Sequence, residues 1–230
     1  MFWPIDGTII LLVPAIILSI YAQFAIRSAY SKWSKVRSAS GMTGRQVAEN
    51  LLRQNNIYDV EVEPIQGSLT DHYDSRAKKL RLSEGVYDST SLAAIGVAAH
   101  ETGHAIQHAT AYAPLNIRQA IFPVANIGSK WGFWLFIIGM FVSSLSFSNL
   151  LMDIGIILFT GAVLFQIVTL PVEFNASSRA LAQLTNGGYL RTDEISGARR
   201  VLNAAALTYV AAAVMAILQL VRLLLIRGND

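Results

Sequence analysis

The sequence predicts a mainly α, multi-span membrane protein with about four transmembrane helices and a small α+β part facing water, on three observations. Hydrophobic residues make up 53% of the 230-residue chain and charged residues only 14%, below the charged share of an ordinary soluble domain. The apolar residues gather into long runs of near twenty rather than spreading at amphipathic spacing, and a hydrocarbon core of about 30 Å requires runs of that length. The main polar stretch carries both helical and alternating patterns, which supplies the α+β part.

The apolar runs lie at about 9–26, 125–143, 151–171 and 204–225. The first follows Asp6 with no Lys or Arg before it and precedes Arg27, Lys32, Lys35 and Arg37. A secretory signal peptide carries its positive charge in front, so this run reads as a retained span with its N-terminus outside. The tip from Ser143 to Asn149 has no Lys or Arg and fits an outside hairpin. Lys130 and Asp153 lie close to run ends or inside the bundle. The last run follows a basic segment with Arg179, Arg191, Arg199 and Arg200. This asymmetry places both termini outside and the polar parts, about 30–116 and 173–203, in the cytoplasm. With no repeat or low-complexity tract, 1–230 is read as one domain.

Within the first polar part, Thr43 can cap a helix that carries Val47, Leu51 and Leu52 on one face and ends near Asn55 and Asn56. Val60 and Val62 alternate with Glu61 and Glu63 in a short strand stopped by Pro64. Leu80 and Leu82 alternate with Lys79 and Arg81 in a second strand, flanked by turn-rich segments from Asp71 to Ser75 and from Ser83 to Gly85. Two short strands suggest a small, incomplete sheet, and the strand Lys79 to Leu82 either pairs with an extended substrate or forms an ordinary hairpin. Asp88 to Ser91 offer N-caps for a helix running through Leu92, Ala99 and Gln107 until Pro114 ends it. Its first half, Leu92 to Ala99, is too short to span, and its small side chains favour close packing against neighbours.

The chain has no cysteine, which excludes a disulfide framework, a thiolate nucleophile and a thiolate metal site. Any metal must be held by His and carboxylate. The formal charge of +3 comes without a basic stripe interleaved with aromatics, so a nucleic-acid partner is not expected. Two of the four His lie in His100-Glu101-Thr102-Gly103-His104, a His-Glu-x-x-His pattern on the predicted helix. One helical turn separates its two imidazoles, so both face one way and can bind one Zn2+ ion, with Glu101 beside them to take a proton from the attacking water.

A catalytic zinc takes three protein ligands and keeps one position open. Glu173, directly after the third run and Pro171, is the choice for the third, because a carboxylate beside a membrane run is costly without a strong partner; the alternative is an interfacial Glu satisfied by backbone N–H groups. His108 shares the stripe of His100 and His104 but lies about 12 Å along the axis from His100, so it suits packing or support of the site rather than ligation. His72, in Asp71-His72-Tyr73-Asp74, either stabilises the oxyanion of a tetrahedral intermediate or stands in an exposed turn.

Together with Leu80-Arg81-Leu82-Ser83, Ala99 to Gln107, Pro171 to Ser177 and Gly197-Ala198-Arg199 through Tyr209, these residues resemble the YugP-like membrane zinc metallopeptidases of bacteria. The resemblance spans most of the chain. It implies a zincin-like (gluzincin) catalytic part, Zn2+ as cofactor, a protein or peptide substrate, and a multi-pass position in the bacterial plasma membrane. The family looks like a small relative of the HtpX and CAAX prenyl protease group, in which a Glu after a membrane helix is the third zinc ligand; carried over, that role falls on Glu173. Those relatives place an Asp four residues later to orient a zinc-binding His. Here Ser177 stands there, so the orienting group is left open. Two rival readings are a catalytically silent zinc-binding scaffold, against which the intact Glu101 argues, and a transporter, against which the charges outside the apolar runs argue.

Overall fold

The computed structural model describes residues 7–142 and 145–228, so Asp6 and Ser143 lie outside the described residues. A 3-10 turn over Gly7–Leu12 runs into α1 (Val13–Trp33). Thr43 starts α2 (Gly44–Gln54) with a capping box: its hydroxyl accepts from the Gln46 N–H at 3.2 Å, and the Gln46 side chain accepts from the Thr43 N–H at 2.9 Å. Both bonds satisfy donors that a helix start leaves open. The strands β1 (Glu61–Ile65), β2 (His72–Asp74) and β3 (Lys79–Ser83) follow. After the single turn α3 (Glu84–Tyr87), the Ser91 hydroxyl caps α4 (Leu92–Ala109) by accepting from the Ala94 N–H at 3.2 Å. α5 (Ala113–Ile127), a π-helical turn at Gly128–Gly132 and α6 (Phe133–Phe141) follow one another, and then come α7 (Ser148–Asn186) and α8 (Ile195–Gly228).

Among the described residues, four helical stretches are long and apolar enough to cross a membrane: Gly7–Trp33, Ala113–Phe141, Ser148–Asn186 and Ile195–Gly228. The fold is therefore mainly α and multi-span, with a small α+β part. Each helix outruns its apolar stretch, because backbone hydrogen bonding does not stop where hydrophobicity does. α7, with 39 residues, is about 58 Å long, enough to cross a core of about 30 Å and continue for several turns.

The chain divides into two compact units. The first comprises, of the described residues, 7–21, 116–170 and 208–228. Phe136, Met152 and Leu223 form its buried cluster. Close helix approach is possible because a Cβ on Gly155 would stand 2.7 Å from the Gly132 carbonyl oxygen. Asp153 pairs with Arg227 at 2.8 Å, while Lys130 is exposed in the π-helical turn.

The second unit comprises 22–115 and 171–207. Its sheet has the order β1-β3-β2, with β1 parallel and β2 antiparallel to β3. Leu80 and Leu82 point into a core shared with Ala94 and Ala98 of α4. Ile95 and Ala99 of the same helix join Val47, Leu51, Leu184 and Leu202 in another cluster. The small residues of α4 thus let it serve two cores.

Several local expectations change. His72–Asp74 is a strand rather than part of a turn, and Ser83 belongs to β3, with the turn α3 after it. Pro64 lies within β1, an edge strand, where its missing N–H costs no ladder bond. β1 pairs with β3 over Lys79 to Ser83 and β2 pairs with it over Lys79 to Arg81, so Lys79 to Arg81 is engaged on both sides and is not an open edge for a substrate. α4 ends at Ala109, not at Pro114: Ala111 turns into the left-handed region at φ 49°, and Tyr112 N–H returns to the Gln107 carbonyl at 2.9 Å. Pro114 instead lies in the first turn of α5, where a missing N–H is harmless.

Candidate metal centre

The site lies within the second unit, where α4 meets the part of α7 that follows Pro171. Gly103 permits the meeting. A Cβ there would stand 2.8 Å from the Ala176 carbonyl oxygen and 3.2 Å from its Cα, so a larger residue would push the two backbones apart. His100 and His104, one turn apart on α4, set their ring centroids 4.8 Å from each other. Glu173, only 2% exposed, brings Oε2 to 3.3 Å from His100 Nε2 and 3.5 Å from His104 Nε2.

These separations suit a metal. Ligands about 2.1 Å from a tetrahedral zinc stand about 3.4 Å apart, close to both measured distances, and all three ligand atoms lie within 4.8 Å of one another. Two imidazole nitrogens and one carboxylate are also a donor set that zinc favours. Burial lowers the basicity of His104, but Glu173, Glu101 and Gln107 outweigh it and hold the imidazole above its ordinary value. The pocket therefore favours positive charge at this point.

The far side of each ring is also held. Ser177 Oγ lies 3.1 Å from His100 Nδ1, so Ser177 meets one of the two imidazoles. Gln107 Oε1 lies 3.0 Å from His104 Nδ1. Its Nε2 donates to the Val172 carbonyl at 2.8 Å and to Asn175 Oδ1 at 3.0 Å, and Arg179 Nε donates to the same Asn175 oxygen at 2.8 Å. Sequence reasoning missed Gln107 and Asn175. The spacing of Gln107, three residues after His104, put it within reach of that ring, but its partners lie on α7 and no local pattern reveals them.

Glu101 sits on α4 beside the pair and is not one of the three grouped ligand atoms. His108 engages Tyr73, whose hydroxyl lies 2.9 Å from its Nδ1. Burial, with Asp59 and Asp74 adding to it, pushes the Tyr73 phenol up to about 12, so it stays protonated near neutral pH. His72 lies on β2, with Nδ1 2.8 Å from the Thr70 carbonyl and Nε2 3.4 Å from Arg81 Nη1.

A family model described as "Putative neutral zinc metallopeptidase" matches residues 8–228. The chain belongs to this zinc metallopeptidase family. It is also similar to the protein of Bacillus subtilis (strain 168) named "Putative membrane protease YugP", with 49% identity over 224 residues, covering 96% of this chain and 98% of that protein. No solved structure matches. Zinc is the metal the family implies, and the donor set of His100, His104 and Glu173 fits it.

Proposed function

We propose that this zinc metallopeptidase is an integral membrane endopeptidase that hydrolyses peptide bonds of protein or peptide substrates. Its catalytic part would face the cytoplasm from the bacterial plasma membrane. The observation that carries the reading is the convergence of His100 Nε2, His104 Nε2 and Glu173 Oε2 within 4.8 Å, with a carboxylate, Glu101, next to His100 on the same helix. His100, His104 and Glu173 would hold the zinc, in a gluzincin-like His-Glu-x-x-His plus Glu arrangement. Zinc in that position supplies Lewis acidity, which polarises a peptide carbonyl and lets water attack near neutral pH.

The remaining steps belong to the chain. Glu101 accepts a proton from the attacking water as its oxygen bonds to the carbonyl carbon. It then passes that proton to the departing amine nitrogen as the C–N bond breaks, so one carboxylate serves as base and then acid. Ser177 and Gln107 hold the two imidazoles from behind. The cytoplasmic placement is supported by the Lys and Arg that flank the first apolar run on its C-terminal side.

The test is cleavage of an unfolded protein by detergent-purified enzyme, inhibited by chelation and restored by zinc. Glu101→Gln should retain zinc while activity falls by about 10²- to 10⁴-fold. Zinc binding with no cleavage of any substrate, in wild type and variant alike, would favour the silent scaffold.

A further inference from the structure

We propose that Gln107, its amide fixed by the Val172 carbonyl and by an Asn175 oxygen that Arg179 holds, dictates which nitrogen of His104 carries the proton, so that Nε2 is presented bare to the metal. The inference rests on the metal-site reading above and adds a positioning chain to it.

Groups whose hydrogen-bonding sense is fixed set the direction of the whole chain. A guanidinium only donates, and Arg179 Nε is 2.8 Å from Asn175 Oδ1. That atom must therefore be the amide oxygen of Asn175. The same oxygen lies 3.0 Å from one terminal atom of the Gln107 amide, and the Val172 carbonyl oxygen lies 2.8 Å from that same atom. Two acceptors there require the Gln107 NH2, because an inverted amide would set three oxygens against one another. The other end of the amide is then an oxygen that can only accept. It faces His104 Nδ1 at 3.0 Å, so the proton of a neutral ring sits on Nδ1. Nε2, 3.5 Å from Glu173 Oε2, is left with the lone pair that a metal ligand needs.

Burial makes the setting firm. Gln107 is 0% exposed, so inverting its amide would strand donors and acceptors with no water to replace them. At the other end of the chain the Arg179 guanidinium lies 5.9 Å from the Tyr112 ring centre, which holds the cation in place. His100 is different, because the Ser177 hydroxyl at 3.1 Å from its Nδ1 can donate or accept and imposes no sense by itself.

The test uses detergent-purified full-length protein, with zinc affinity read by competition against a chromophoric chelator and the visible spectrum read after loading with Co2+. Gln107→Leu is expected to weaken zinc binding by about 100-fold, and Arg179→Met by about 10-fold, within the range for partners of metal-binding His. Both should alter the Co2+ bands. Because Arg179 acts through Gln107, the double variant should bind no more weakly than Gln107→Leu alone.

Wild-type affinity in monodisperse Gln107→Leu overturns the proposal, and so does an additive loss in the double variant. Should Gln107→Leu fail to fold, Gln107→Met, which is closer in shape and also lacks the amide, decides in its place, and an unchanged affinity and Co2+ spectrum overturn the proposal. Failure of the wild-type protein to bind zinc would strike the metal-site reading instead, and would be seen before any variant is compared.

Discussion

In the first unit Ile17, Ile20 and Ile157 stand 62%, 66% and 69% exposed, whereas in the second Leu51, Leu80, Leu82 and Leu92 are at most 1% exposed. The same class of side chain faces outward in one and inward in the other. Outward-facing aliphatic side chains on helices of this length require an apolar surrounding, which a bilayer supplies while each helix satisfies its own backbone. The second unit is built like a water-soluble core, and there burial of polar atoms is expensive unless they are paired. Thr102, Gln107, Glu173 and Ser177 are nevertheless buried, and all four lie at or beside the metal centre. Ser38, Ser83 and Ser91 are buried in this unit as well, so polar burial there calls for a partner at each position, whereas apolar exposure in the other unit marks the solvent.

The largest expected effect separates the units chemically. Glu173→Ala, in protein that still inserts and stays monodisperse, should lose most of its zinc by elemental analysis, since an ion left with two protein ligands loses charge compensation and geometry. Asp153→Asn in the first unit breaks the pair with Arg227 and should leave zinc at the wild-type level, as should His108→Ala. Zinc retained by Glu173→Ala and lost from His108→Ala would refute the ligand set.

Next comes packing. Leu51→Ala should cost about 2–5 kcal/mol by opening a cavity in a close-packed core. Ile20→Ala should change stability in detergent by no more than about 0.5 kcal/mol, as at exposed sites elsewhere. Equal losses in denaturant or thermal unfolding would erase the contrast between the units. Gly103→Ala is expected to cost about 1–3 kcal/mol, because the added Cβ would meet a backbone oxygen at 2.8 Å that cannot rotate away. It should also weaken zinc binding by parting α4 from α7, and unchanged zinc affinity would show that the approach is not needed.

The smallest effect is electrostatic and confined to the sheet. Lys79 and Arg81 hold the Glu63 carboxyl below its usual value of 4.5. A depressed value contributes stability that is present above the ordinary pKa and is lost as pH falls through the folded one. The melting temperature of wild type should exceed that of Glu63→Gln slightly at pH 7, with the gap closing below about pH 4. A gap that widens in acid would reverse the assigned sign.

Features set by neighbouring residues were legible along the chain. The Thr43 cap, the placement of Leu80 and Leu82 on one strand, and the four apolar stretches each depend on local spacing or on a run set against bilayer thickness. β2 was not legible, because three residues, His72–Asp74, make too short an alternation to register and are ordered by pairing with β3. The end of α4 was misread for a related reason. Pro114 is a strong local signal, but the helix closes earlier through the left-handed Ala111 and its return bonds.

By itself the sequence determined that this chain carries membrane-spanning helices and that two imidazoles and a carboxylate share one helix, since bulk hydrophobicity and helical periodicity act over short distances. Only the tertiary structure decided which remote groups meet them. Glu173 reaches both imidazoles and His108 turns to Tyr73, while Gln107 and Ser177 take the far sides of the rings. Apart from the Tyr73 contact, which β2 supplies, these outcomes depend on how closely α7 can approach α4. That distance is set at Gly103, where the absence of a Cβ lets one backbone touch another, and no pattern within either helix encodes which partner will be there.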